Sequence, residues 1–401
     1  MNRRLALLLM IGVFLLFNVW TLYTYITSRF PGANDFFLRY QGARSYLLDG
    51  LNPYSREATD RVEIGLYGHV AEPGQYPGDF VYPFYTIFLV APLARLPYAV
   101  ASAIWMVLLG TFVVVSFWLV ADEFAWRPPA WLLTLGLIWS LILYPSARGL
   151  FLGQPGTLVA CLELITLWAL CKGRDSLAGV VLAISTLKPS MGYLLVPFLL
   201  LWALSARRWR FIGSFAVLFV VMVGVSFLLL PSWLSDWLAQ VARYPSYTEI
   251  ESPVWVITSY YLPFLGRAGE VVIDAVLVGL MLWAWYRVLI RRDQRMFDWT
   301  VALTLTVTHL VTPRTATPHF VVFSFVYVFY FRQIMRMDRQ RGALIVTAIM
   351  AVMLVILWGL FLSTVSNRFE HPIMYLPLPI GSLLLLWFTR RMWWHAAGAA
   401  A

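Results

Sequence analysis

Residues 5–28, LALLLMIGVFLLFNVWTLYTYITS, carry no charged side chain. Wound as a helix at about 1.5 Å per residue, such a run is longer than the ~30 Å hydrocarbon core of a bilayer. It is too long for a signal-peptide core, and no small-residue cleavage site follows it. It therefore reads as a membrane anchor, with the preceding Met-Asn-Arg-Arg on the inner side.

The pattern recurs. Apolar stretches lie near 98–121, 131–148, 154–172, 176–188, 190–205, 211–230, 269–290, 298–312, 318–334, 342–365 and 373–389. With the anchor they make about twelve spans. The expected fold is all-α, a polytopic membrane helical bundle forming a single integral-membrane domain over residues 1–401. Only 12% of residues are charged and 61% are hydrophobic, whereas a soluble domain carries about 25% charge. A formal net charge of +10 would suggest a nucleic-acid partner in a soluble protein. Here the basic residues cluster between apolar spans, where they set orientation, and no nucleic acid is expected.

With the N-terminus inside, the inner connections hold Lys172 and Arg174, Arg207 to Arg210, Arg291 and Arg292, Arg332 to Arg341, and Arg390 and Arg391. Both termini are then cytoplasmic. FVYPFYTIFLVAPLARLP, residues 80–97, is apolar but broken by Pro83, Pro92 and Pro97. Counting it as a span would move the Lys172 and Arg207 clusters outside. It is therefore expected to be a re-entrant or interfacial piece on the outer side, covered by protein or lining a wet cavity. The outer connections are then 28–97, 231–268 and the turn VTPRTATPHF at 311–320. The first holds NDFFLRYQGARSYLLDG, expected as a juxtamembrane amphipathic helix. It would bury Phe36, Tyr40, Ala43 and Leu47 on one face and stop at Gly50. Asn34 and Asp35 stand where a helix cap would. No internal repeat is evident, and nothing resembles a soluble domain.

Few residues in this setting can do chemistry. Asp35 either caps backbone amides or serves as a general base beside an aromatic-lined cleft, and its two oxygens permit both. Lys188, in LAISTLKPSMGYLL, must snorkel, pair or line a wet cavity. The following Pro189 argues for a broken helix facing protein, and the flanking stretches 176–188 and 190–205 are short. Arg314 and His319 are donors in a compact threonine- and proline-rich turn, and the planar fork of arginine suits phosphate. Arg148 and Gln154 flank another outer turn. Asn34, Tyr54 and Tyr82 are weaker candidates for substrate contact in the first outer connection. His309 reads as an ordinary interfacial histidine, and Glu163 and Asp274 as groups that pair or pack between helices. Cys161 and Cys171 lie about 15 Å apart along one helix and cannot pair. There is no Walker-type phosphate loop, no metal-ligand cluster and no Ser-His-Asp arrangement, so no metal is expected.

The pieces NDFFLRYQGARSYLLDGLNPY, FVYPFYTIFLVAPLARLP, LGQPG, LAGVVLAISTLKPSMGYLLVPFLLL and VTPRTATPHF, in order over residues 34–320, resemble glycosyltransferase family 87. That family belongs to the polytopic GT-C enzymes, which use polyprenyl-phosphate sugars. Three departures stand out, one being a slightly different spacing of the proline and histidine in the outer turn. Pro83-Phe84 replaces the family's double proline, and Pro155-Gly156 stands where a polar residue usually follows the glutamine. The resemblance implies Asp35 as catalytic base, and Lys188, Arg314 and His319 as holders of the donor phosphate. It further implies a polyprenyl-phosphate hexose donor, usually mannose, and a lipid or glycan acceptor. No cofactor is implied, and the site would face outward from the plasma membrane. A transporter or lipid flippase is the rival reading, but it predicts symmetric repeats and polar residues at the midplane.

Overall fold

The computed structural model describes residues 3–248, 252–366 and 370–397. Met1 and Asn2 of the basic N-terminus, and residues 249–251 of the connection expected over 231–268, lie outside the described residues, as do the last four residues of the chain. Most of the described residues are helical, and no β-strand forms among them. Among the described residues six helices are long and apolar enough to cross a membrane: Leu5–Thr27, Tyr98–Glu123, Trp209–Leu229, Gly266–Leu289, Thr317–Met337 and Arg339–Thr364. A seventh candidate is the pair Ala130–Ile142 and Tyr144–Leu152, bent by 52°. Other stretches expected as spans form shorter apolar helices: Pro155–Cys171, Asp175–Ser185, Leu195–Ser205 and Phe297–Val311. Helices of 11 residues, as Asp175–Ser185 and Leu195–Ser205 are, reach only about 16 Å, half the hydrocarbon thickness. The chain is a multi-pass, all-α membrane protein.

Helices divide between two compact units. The first comprises Met1–Phe112, Arg148–Pro155 and Val220–Thr248. Its core is aromatic: Phe36 stacks on Trp105 with ring centroids 4.7 Å apart, and Tyr98 leans against Tyr40 at 5.2 Å. Such rings supply much apolar area while their polar tips find partners. Accordingly the Trp105 indole donates to the Gly153 carbonyl at 2.9 Å, and the Tyr40 hydroxyl to Leu96 O at 2.6 Å. The expected helix runs Asn34–Asp49 and ends at Gly50, which adopts φ 68°. Phe36, Tyr40 and Ala43 are buried as expected, but Leu47 is 43% exposed. The buried face ends one turn before the helix does. Residues 80–97 form no span. A five-residue helix, Thr86–Val90, sits among turns, with Phe80, Tyr82, Phe84 and Tyr85 buried. The amphipathic helix Trp233–Arg243 is tied to the first long connection, where Arg243 pairs with buried Asp79 at 2.5 Å and Asp236 accepts from Asn52 at 2.7 Å.

The second unit comprises Val113–Ala147, Gly156–Phe219 and Glu249–Ala401. Phe297–Val311 is buried along nearly its whole length despite four threonines. The Thr304, Thr306 and Thr308 hydroxyls donate to the carbonyls four residues earlier at 2.7–2.8 Å, and Thr312, just past the end, bonds to Thr308 O. This back-bonding satisfies hydroxyls where water is absent. Indoles stitch neighbouring helices together: Trp139 donates to Met350 O and Trp299 to Leu386 O, both at 3.0 Å. The break at Lys188-Pro189 is real, a short turn of helix, Pro189–Gly192, separating the two 11-residue helices.

Candidate active site

The candidate residues fall into two clusters, one in each unit. In the first unit the chain enters the Asp35 helix through Ala33, in the left-handed region at φ 55°, and no side chain caps the helix. This overturns the capping role expected of Asn34 and Asp35. The geometry explains why. Ala33 N–H donates to Phe151 O at 2.7 Å, and its carbonyl accepts from the Phe36 amide at 2.9 Å and from the Tyr98 hydroxyl at 2.6 Å. The Ala33 carbonyl thus takes the Phe36 and Phe37 amides where a side-chain cap would accept, Tyr98 pins that carbonyl, and the Asp35 carboxylate is left for other work. Gly153 makes this packing possible. It adopts φ 64°, and a Cβ there would lie 2.6 Å from the Ala33 Cβ.

Asp35 Oδ2 accepts from Gln154 Nε2 at 2.6 Å. The carboxylate is half-buried, Gln154 is buried, and Asn34 is exposed. Tyr54 is committed elsewhere. Its hydroxyl donates to Tyr82 O at 2.7 Å, and burial, then the nearby Asp236 charge, raises its phenol well above the ordinary range. Tyr82 stacks under the guanidinium of Arg39, which lies 3.7 Å from the ring centroid. Burial, opposed by the Arg39 charge and reinforced by that of Asp35, keeps the Tyr82 phenol above its usual pKa and hence neutral. Arg148 is half-buried on Tyr144–Leu152, four residues before Leu152.

In the second unit Lys188 Nζ lies 2.7 Å from His319 Nε2. His319 is buried, and its Nδ1 faces the Ala316 amide at 3.2 Å and the Thr315 hydroxyl at 3.3 Å. A neutral imidazole has one acceptor nitrogen, so the Lys188 ammonium and the Ala316 amide compete for it. Gly156 lies against this pair. A Cβ there would come 2.3 Å from His319 Cδ2 and 3.2 Å from Lys188 Nζ. Close approach of a ring and an ammonium to bare backbone is the physical reason for glycine after Pro155. Arg314 is half-buried in the same turn, with its backbone at φ 60°.

Three groups near these candidates gave little sequence signal. Glu370 accepts from Thr317 and Tyr144 at 2.5 Å each and from Tyr375 at 3.3 Å, so it latches the His319 turn. His309, expected to be interfacial, is buried with its ring 6.0 Å from that of His319. Glu163 is fully buried and, of the two expectations for it, packs between helices and does not pair: neither carboxylate oxygen has a hydrogen-bond partner. Among the described residues no three His, Cys, Asp or Glu side chains converge as metal ligands.

A family model of glycosyltransferase family 87 matches residues 80–313, more than half of the chain. The chain belongs to glycosyltransferase family 87. The matched stretch includes Tyr82, Arg148, Gln154 and Lys188. It starts after Asn34, Asp35 and Tyr54 and stops just before Arg314 and His319. No curated protein matches the chain, and no solved structure does. As a member of family 87 the protein is a membrane glycosyltransferase.

Proposed function

We propose that the protein transfers a hexose, mannose by family expectation, from a polyprenyl-phosphate donor to a lipid or glycan acceptor at the outer face of the plasma membrane. Both termini are then cytoplasmic. The isoprenoid tail of the donor stays in lipid and its sugar enters the aqueous side. Asp35 takes the proton of an acceptor hydroxyl, which attacks the anomeric carbon from the side opposite the phosphate. Inversion turns a β-linked donor into an α-linked product. Lys188, His319 and Arg314 stabilise the charge that grows on the departing polyprenyl phosphate, where preorganised donors act most strongly. Gln154 holds one carboxylate oxygen of Asp35 and so fixes its aim, while Asn34, Tyr54, Tyr82 and Arg148 shape the surroundings. A lipid phosphate leaves as a stable anion, so the reaction demands no metal.

The observation that carries this reading is the Gln154–Asp35 hydrogen bond in a member of family 87. It ties the acid to the glutamine of LGQPG, a stretch inside the region that the family model matches. The test incubates purified protein with radiolabelled polyprenyl-phosphate mannose and membrane lipids. Wild type is expected to yield a labelled lipid product, and Asp35→Asn to lose at least 100-fold in rate, as removal of a general base does. Equal product from both would remove Asp35 from the base role. No product with any lipid-linked sugar would favour a transporter.

A further inference from the structure

Arg39 is a cation in an unusual place. It lies one turn after Asp35 on the same helix face, is only 6% exposed, and stacks its guanidinium on the Tyr82 ring. One terminal nitrogen is spent on the Asp35 backbone carbonyl. The Nε is buried and has no hydrogen-bond partner. The carboxylates of this unit are engaged elsewhere. Glu63 pairs with Arg56, Asp79 with Arg243 and Asp49 with Arg61, while Asp35 Oδ2 accepts from Gln154. A folded chain seldom buries a charge without pairing it, because desolvation of an unpaired ion far exceeds that of a neutral group. The ring beneath the guanidinium and the carbonyl at one end fix its plane. What remains is the Nε edge, the side of the fork that grips a phosphate or carboxylate through two parallel hydrogen bonds.

We infer that Arg39 and Tyr82 form an oxyanion subsite for the glycosyl acceptor, so that the acceptor carries a phosphate or carboxylate close to the hydroxyl that receives the sugar. This rests on Asp35 acting as the base. In an inverting displacement the base and the leaving phosphate lie on opposite sides of the anomeric carbon. A group one helical turn from the base therefore meets the acceptor, not the donor. Tyr82 contributes a neutral ring beneath the guanidinium and a hydroxyl close to it, which hold the fork in place.

The test measures equilibrium binding by calorimetry on the purified full chain in phosphatidylcholine nanodiscs. The probes are glycerol 3-phosphate and glycerate, as acceptor-like anions, and citronellyl phosphate as a donor mimic. Wild type is expected to bind at least one of the first two. Arg39→Gln weakens that binding at least tenfold and leaves citronellyl phosphate unchanged. Arg39→Lys, which keeps the charge but not the fork, falls between. Each variant is first shown to elute and melt as wild type. Asp35→Asn, measured alongside, keeps its anion binding, so loss of transfer in that variant and loss of binding in Arg39→Gln report on separate claims. Three results would overturn the inference. Wild type binds neither acceptor-like anion at about 10 mM, Arg39→Gln binds them as wild type does, or only citronellyl phosphate binding falls.

Discussion

Gly156→Ala offers a test of the second cluster that removes no functional group. The new methyl would sit 2.3 Å from His319 Cδ2 and 2.5 Å from Nε2, and 3.2 Å from Lys188 Nζ. Ordinary carbon contacts begin near 3.5 Å, so the ring must retreat by about 1 Å or more. The Lys188–His319 contact, now 2.7 Å, would then pass hydrogen-bond range. Overpacking of this kind costs about 1–3 kcal/mol. A displaced charge-assisted hydrogen bond is worth about 1.5–3 kcal/mol, or roughly 10- to 100-fold in kcat/KM at about 1.4 kcal/mol per decade. The assay follows initial rates of sugar transfer while donor and acceptor concentrations vary separately, with thermal melting in the same detergent. The loss should appear when the donor is varied, with acceptor KM unmoved. Gly279→Ala is the control. It lies on Gly266–Leu289 with nothing within 4 Å of its Cβ position, and it should be neutral or slightly stabilising, since alanine is the better helix former. Wild-type donor kinetics in Gly156→Ala would refute the idea that Lys188 and His319 must touch for the donor to be used.

Two further perturbations address the first cluster. Gln154→Leu removes the donor held 2.6 Å from Asp35 Oδ2; transfer should fall by about 10-fold or more at unchanged melting temperature, as rates over a range of pH would show, whereas a pure stability loss would contradict the aiming role. Gly153→Ala forces a side chain into φ 64° and a 2.6 Å clash with Ala33; it should lower stability by about 1–3 kcal/mol in chemical denaturation.

The parts of this molecule that were legible in its sequence are those set by local physics. Charge-free runs marked the long helices, Gly50 marked a helix end, Pro83, Pro92 and Pro97 denied a span to 80–97, and Lys188-Pro189 marked a break. What escaped was decided by partners far along the chain. Asp35 looked like a cap because nothing local shows that the Ala33 backbone is held by Phe151 and Tyr98, or that the acid meets a glutamine 119 residues away. The burial of Arg39 depends on Tyr82, and the latch on the His319 turn is Glu370, 53 residues beyond Thr317. The departure Pro155-Gly156 was visible, but its reason, a ring from residue 319 against bare backbone, belongs to packing.

Arg314 holds its backbone at φ 60°, a conformation whose steric strain costs a residue with a Cβ about 1 kcal/mol and which glycine adopts without that strain. Arg314→Gly would relax the turn while deleting the cation. On the proposed donor-holding role, a gain in backbone comfort at this position loses the cation that transfer uses, so selection on turnover and selection on an unstrained turn pull Arg314 in opposite directions.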